Sequence, residues 1–430
     1  MIRNLLKKYA VSILYLYIPS IFSVLVAFVT TPIILYSLSP DDYGKWQLML
    51  SVQAWLQILS APNIAVASKN GIAKGLNGTL IYSFLFRFRL LLPISLLVGI
   101  VALYFMYIGN KIFSILIVIV GIYIIVGYLF QSSFQEFLIA KKRFKEWSLW
   151  ETLLSSISLI IATAVAYVTK NILYYAVSQM GIVIVISLTR WIHLIIKEDI
   201  VGSYKRSEID KECIHYGLKL LPFDILSVTA IRISHIFIAS FMGFGELAVF
   251  SVANTLQSKS ASLFKAINPL LYADFANKDF HQIKIASKQH FMKLTCISTL
   301  LTILIVIGGI IYIRVWLPPS FQKSMIYFLI LCLNFPTSII GMILATMLQS
   351  HLIYKEQIAI GIAYNIIRII LIIIFGYFAN TIGICIAITL SYYIQYIFYH
   401  VLIFHKNMIK NISNKILPKF EEASGENDES

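Results

Sequence analysis

KEDIVGSYKRSEIDKECIH, the run from Lys197 to His215, is the only long polar interruption in the middle of a 430-residue chain built otherwise from apolar stretches. Hydrophobic residues make up 59% of the sequence and the mean hydropathy is +0.82, so the apolar stretches are too many for a soluble core and are long enough to cross a bilayer. Spans are predicted near 11–38, 43–67, 81–108, 112–140, 148–168 and 172–196 before the polar run, and near 217–242, 247–273, 287–313, 324–348, 356–379 and 382–404 after it. The expected fold class is an all-α polytopic membrane protein of about 12 transmembrane helices in two six-helix bundles. The bundles are expected over 1–200 and 217–405, joined by a cytoplasmic linker over 201–216 and followed by a disordered cytoplasmic tail over 406–430 that is acidic from Glu421 to Ser430.

The net charge of +15 raises nucleic acid as a partner, but the distribution of the basic residues excludes it. The N-terminus, the even-numbered connections and the C-terminus collect most of the lysines and arginines, including the cluster Lys141-Lys142-Arg143-Phe144-Lys145. The other side holds only Lys45, Lys111, Lys170, Arg314 and Lys323. By the positive-inside rule both termini are cytoplasmic, which requires an even number of spans. The N-terminal segment lacks a small-residue cleavage pattern and is expected to remain as the first helix. Cys213, Cys296, Cys332 and Cys385 show no metal-ligand spacing and are expected to pack. No metal site and no cofactor are expected.

A short internal echo links the halves. Leu38-Ser39-Pro40-Asp41-Asp42-Tyr43-Gly44-Lys45-Trp46 joins spans one and two, and Met242-Gly243-Phe244-Gly245-Glu246-Leu247-Ala248-Val249-Phe250 joins spans seven and eight. Both run acid, bulky, small, any, aromatic, as a parallel repeat would. The first string resembles the L-G-P-x-x-Y-G-x-W signature of Wzx-type polysaccharide (O-antigen) flippases of the multidrug/oligosaccharidyl-lipid/polysaccharide (MOP) superfamily, with Ser39 in place of glycine. Lys142-Arg143-Phe144 and the stretch from Gly217 to Ala253 are similar to further family strings. The resemblance implies a MATE-like, V-shaped fold in the bacterial inner membrane. It also implies a flippase that moves undecaprenyl-pyrophosphate-linked oligosaccharide through a cationic cavity by alternating access. Membrane lipids, a polysaccharide polymerase and a chain-length regulator are the further partners it implies.

Basic residues within the spans agree with an anionic cargo. An Arg or Lys at the bilayer centre costs roughly 2.5 to 3.5 kcal/mol on insertion scales, so three of them facing lipid would cost about 8 to 10 kcal/mol. Arg232, Lys259 and Arg368 are therefore expected to line a cavity, with Arg232 the first candidate because guanidinium stays charged and grips phosphate with two parallel donors. Lys265 lies nearer a span end, where it can snorkel. Arg87 and Arg89, at the expected cytoplasmic end of span three, serve topology and headgroup contact or else capture substrate phosphate. Asp224 and His235 are nearly eclipsed on span seven, beside Arg232, and read either as an ion-coupling relay or as partners in a pair that pins the helix. Aromatic residues such as Trp46, Trp147 and Trp316 fit an interfacial belt.

Two other function classes compete. A drug or cation exporter of the same superfamily would be expected to carry a carboxylate in span one, which this chain lacks. A membrane polysaccharide polymerase would need a substantial external loop with acids or metal ligands, and the external connections here are short. No Walker, HExxH, GxGxxG or DxD string supplies chemistry or ATP hydrolysis, so the chain is read as a non-enzyme.

Overall fold

The computed structural model describes residues 2–265, 268–276, 278–351 and 353–404. The expected tail over 406–430 lies outside the described residues. Among them the chain is helical with no strand. The elements are α1 (Ile2–Ser37), α2 (Pro40–Leu59), α3 (Pro62–Ala73), α4 (Thr79–Tyr107), α5 (Lys111–Ile122), α6 (Leu129–Ala140), α7 (Phe144–Thr169), α8 (Ile172–Lys197), α9 (Ile200–Lys205) and α10 (Glu212–Phe241). They continue with α11 (Phe244–Lys265), α12 (Asn268–Ala276), α13 (Phe280–Trp316), α14 (Ser324–Cys332), α15 (Phe335–Ser350) and α16 (Tyr354–Phe404). A π-turn over Tyr123–Tyr128 joins α5 to α6.

Among the described residues, eight helices are long and apolar enough to cross a membrane, nine if the bent pair α14 and α15 is one span. Several expected spans are therefore interrupted. The second breaks between α2 and α3, where Ala61 takes a left-handed φ of 50° and Pro62 has no N–H to continue the helix. The tenth bends by 44° between α14 and α15. α16 is two limbs, turned at Ala379 and Asn380, the latter at φ 53°. With α2 continued by α3, α5 by α6, α11 by α12 and α14 by α15, the order is that of twelve crossings.

The freed backbone groups at these breaks find partners, as a low-dielectric surrounding demands. At the end of α14 the Ile330 carbonyl accepts from Thr389 Oγ1 at 2.9 Å and the Leu333 carbonyl from Tyr393 Oη at 3.0 Å. The surface is apolar where lipid would lie: Leu96 is 70% exposed and Leu103 68% exposed on α4. The polar run, expected as a plain linker, contains α9 and docks back through Asp210 N–H on Thr79 Oγ1 at 2.8 Å. Arg206 bonds Asp199 and Glu208 there, and that bond holds the Glu208 carboxyl below its usual range.

The sequence echo has a spatial counterpart. α2 begins with Ser39 accepting from Asp42 N–H at 3.1 Å, Pro40 in the first turn and two acids against the helix dipole. Its partner α11 begins after Gly243, at φ +91°. The two starts meet: a Cβ on Gly44 would stand 1.9 Å from the Phe244 carbonyl oxygen, and one on Gly245 3.1 Å from Asp41 Oδ1. Around this seam Tyr43 meets Phe321, Phe113 meets Phe244, and Tyr312 Oη donates to the Phe28 carbonyl at 2.9 Å. Trp46, expected in the interfacial belt, is instead 2% exposed and packed edge-on against Tyr175. Trp316, by contrast, is 51% exposed.

Candidate translocation site

Beside the α2–α11 seam, α10 also ties the halves together. It packs on α16 of its own half and on α2 and α3 of the other, crossing α3 so closely that a Cβ on Gly217 would stand 2.5 Å from Ile64 N. On this helix Arg232 is half-buried and makes no hydrogen bond or ion pair with a described residue. Lys259 on α11 is likewise half-buried and without a described partner. It stands beside Ala27, Phe28 and Thr31 of α1 and Tyr312 of α13, around a crevice of about 10 Å³. That is room for about one water molecule. Arg232 and Lys259 are thus two half-buried cations on the packed helices α10 and α11, each without a counter-ion among the described residues.

The other expected residues divide. Asp224 does not pair with Arg232 or His235. It accepts from Asn63 Nδ2 of α3, across the two halves. Asp224 and His235 are close in azimuth, but eleven residues at the α-helical rise separate them by about 16 Å along the axis. His235 is 4% exposed, near Ser234 Oγ at 3.3 Å and edge-on to Phe250, with Arg232 and Arg368 in electrostatic reach.

Arg368 is 7% exposed. Its Nη1 donates to Tyr364 Oη at 2.8 Å and its guanidinium lies 5.5 Å from the Tyr392 ring centroid. It thus stitches the two limbs of α16 together from within, while its Nε has no partner. Arg89 is exposed. The Lys265 side chain lies outside the described residues.

Arg87 is fully buried, which neither headgroup contact nor substrate capture requires. Its Nε donates to the Ser60 carbonyl at 3.1 Å, its Nη1 to Ser132 Oγ at 3.0 Å. The arginine caps the helix break at Ala61 and anchors it to α6. Arg87→Ala strands the Ser60 carbonyl in a dry interior and should destabilise the protein by about 3 kcal/mol. Thermal unfolding in detergent checks this, and a midpoint equal to wild type would remove Arg87 from its capping role.

A third buried arginine was not anticipated. Arg190 on α8 is 1% exposed, stacked 4.4 Å from the Phe134 ring centroid, with Nε and Nη1 unpaired. Glu151 of α7 acts on it electrostatically and bonds Gln131 at 3.5 Å. The criterion that selected Arg232, a charge inside an apolar span, applies equally to both residues.

Residues 10–270 match the model of a family described as polysaccharide biosynthesis protein. No curated protein matches the chain. Among solved structures, an inward-facing multidrug-resistance MATE transporter of the MOP superfamily shares 14% identity at a TM-score of 0.72, over 91% of this chain and 98% of that one. The outward-facing form gives 15% and 0.61, over 91% and 94%. A MOP superfamily transporter from Pyrococcus furiosus, described by a binding pocket of reverse polarity and a different function, gives 16% and 0.64 over 91% and 95%. The fold is that of these transporters, and the match over more than half of its length makes the chain a member of the polysaccharide biosynthesis protein family.

Proposed function

We propose that the protein is a flippase for polyprenyl-pyrophosphate-linked oligosaccharide repeat units, of the undecaprenyl type, working by alternating access between two six-helix bundles. The observation that carries this reading is the half-buried Arg232, without a partner among the described residues, within a membrane helix of a polysaccharide biosynthesis family member. A cation left without a protein counter-ion in such a place is costly unless a ligand supplies the charge. A pyrophosphate does so, and the arginine fork matches its oxygens. Lys259 adds a second, more mobile charge on the neighbouring helix. Asp224, bonded across the halves, is the group whose protonation would loosen α10 from α3, which makes it the preferred coupling residue over His235.

In this reading the protein lies in the bacterial inner membrane, with both termini and the Lys197–His215 run cytoplasmic, and hands its cargo to a polymerase and chain-length regulator. Deleting the gene in its host should remove the surface-polysaccharide ladder on a gel and accumulate lipid-linked repeat units on the cytoplasmic face, with the wild-type chain restoring both. Reconstituted vesicles that move a cationic dye but no fluorescent lipid-linked oligosaccharide would instead make it an exporter of cations.

A further inference from the structure

A second basic feature is separate from the translocation site. Where α1 leans on the start of α7, a cavity of about 640 Å³ is lined by Tyr15 and Ile18 of the one and by residues 142–146, Ser148, Leu149 and Thr152 at the start of the other. Its walls are mainly apolar and Leu149 is 59% exposed at its edge, so it opens sideways to where lipid would lie. Its rim is charged unevenly. Arg143 is more than neutralised, since Glu146 holds its Nε at 2.8 Å and Glu198 its Nη1 at 2.6 Å. Lys142 and Lys145 are exposed and have no described carboxylate partner. Lys142 and Lys145 outweigh the one surplus carboxylate of that cluster, so the rim keeps a net charge of about +1, at the start of a 26-residue helix that has no side-chain hydrogen-bond cap and one acid, Glu146, in its first turn.

We infer that this corner is a binding site for one anionic glycerophospholipid, its phosphate between Lys142 and Lys145 and its glycerol and upper acyl carbons against Ile18 and Leu149. The volume suits a headgroup with the start of two chains, and a zwitterionic lipid would leave the rim's net positive charge unbalanced. The inference is independent of the cargo proposed above. The pinned Arg143 fixes the turn, while the lysines are free to meet the phosphate.

The test is native mass spectrometry of the full chain, delipidated in detergent and titrated with phosphatidylglycerol or with phosphatidylcholine of the same acyl chains. One phosphatidylglycerol should be retained where phosphatidylcholine is not. Because each lysine near an anionic lipid is worth roughly fivefold in affinity, the Lys142→Gln/Lys145→Gln variant should weaken binding about 25-fold. Leu149→Trp, which fills the cavity without changing charge, should weaken it too. Equal retention of the two lipids by the wild type, or unchanged retention by the double variant, overturns the site. So do displacement by inorganic phosphate alone, which would leave a bare anion site, and a tenfold preference for a polyprenyl phosphate, which would reassign the cavity to the cargo.

Discussion

Arg232→Ala lowers export of surface polysaccharide at least 100-fold while the protein reaches the membrane at its normal level. The size follows from the two charge-assisted hydrogen bonds to phosphate that the proposed function gives Arg232, at about 1.5 to 3 kcal/mol each, lost together. Arg232→Lys keeps the charge but loses the planar fork, and should retain part of the activity. Stability provides the control. Arg232 has no described partner, so its removal leaves no protein group stranded and the unfolding midpoint should stay at or above that of the wild type. Arg87→Ala behaves in the opposite way, because Arg87 caps the Ser60 carbonyl. The experiment is a complementation assay with membrane levels measured alongside, and wild-type export from a well-expressed Arg232→Ala chain would remove this residue from the path.

Gly44→Leu should abolish transport by a different route. The Phe244 carbonyl occupies the place of the side chain, 1.9 Å from where a Cβ would sit, and backbone cannot yield as a flexible side chain can. The seam between α2 and α11 must then part, which biases the protein toward the state open at that end. Phe321 is fully buried beside Tyr43. In a background with the four native cysteines replaced, Phe321→Cys should react slowly with a membrane-impermeant maleimide, and at least tenfold faster once Gly44→Leu is added. Slow labelling in both, together with wild-type export, would mean that this contact does not gate transport.

Much of the fold was legible in the sequence because hydropathy and capping chemistry act locally. The Ser39-Pro40-Asp41-Asp42 start of α2 reads directly as a cap, a proline tolerated in the first turn and acids at the positive end of a helix. Hydropathy hid the break in the second span, since α2 and α3 are similarly apolar, and its one residue-level mark is Pro62, whose missing N–H stops a helix. Trp46 was misplaced for a related reason: an aromatic residue near a span end suits the interface as well as the core, and only the partner surface of Tyr175 decides. For the site, the sequence identified Arg232 and Lys259 as charges needing company. Azimuth alone grouped Asp224 with His235, and the axial distance separated them. Arg190 and Glu151 could have been selected by the same rule.

The wide turn at Tyr123–Tyr128 gives the fourth span slack in its register. A turn wound with five-residue spacing holds about one residue more than α-helical winding over the same rise. Removing one residue within 123–128 would let the backbone tighten to ordinary helix and leave α5 and α6 facing as they do now. Ser132 would then still meet Arg87. The same deletion in α7, which has no such reserve, would rotate everything beyond it by about 100° and turn its buried face outward. Insertions and deletions tolerated by this protein should therefore collect in the fourth span.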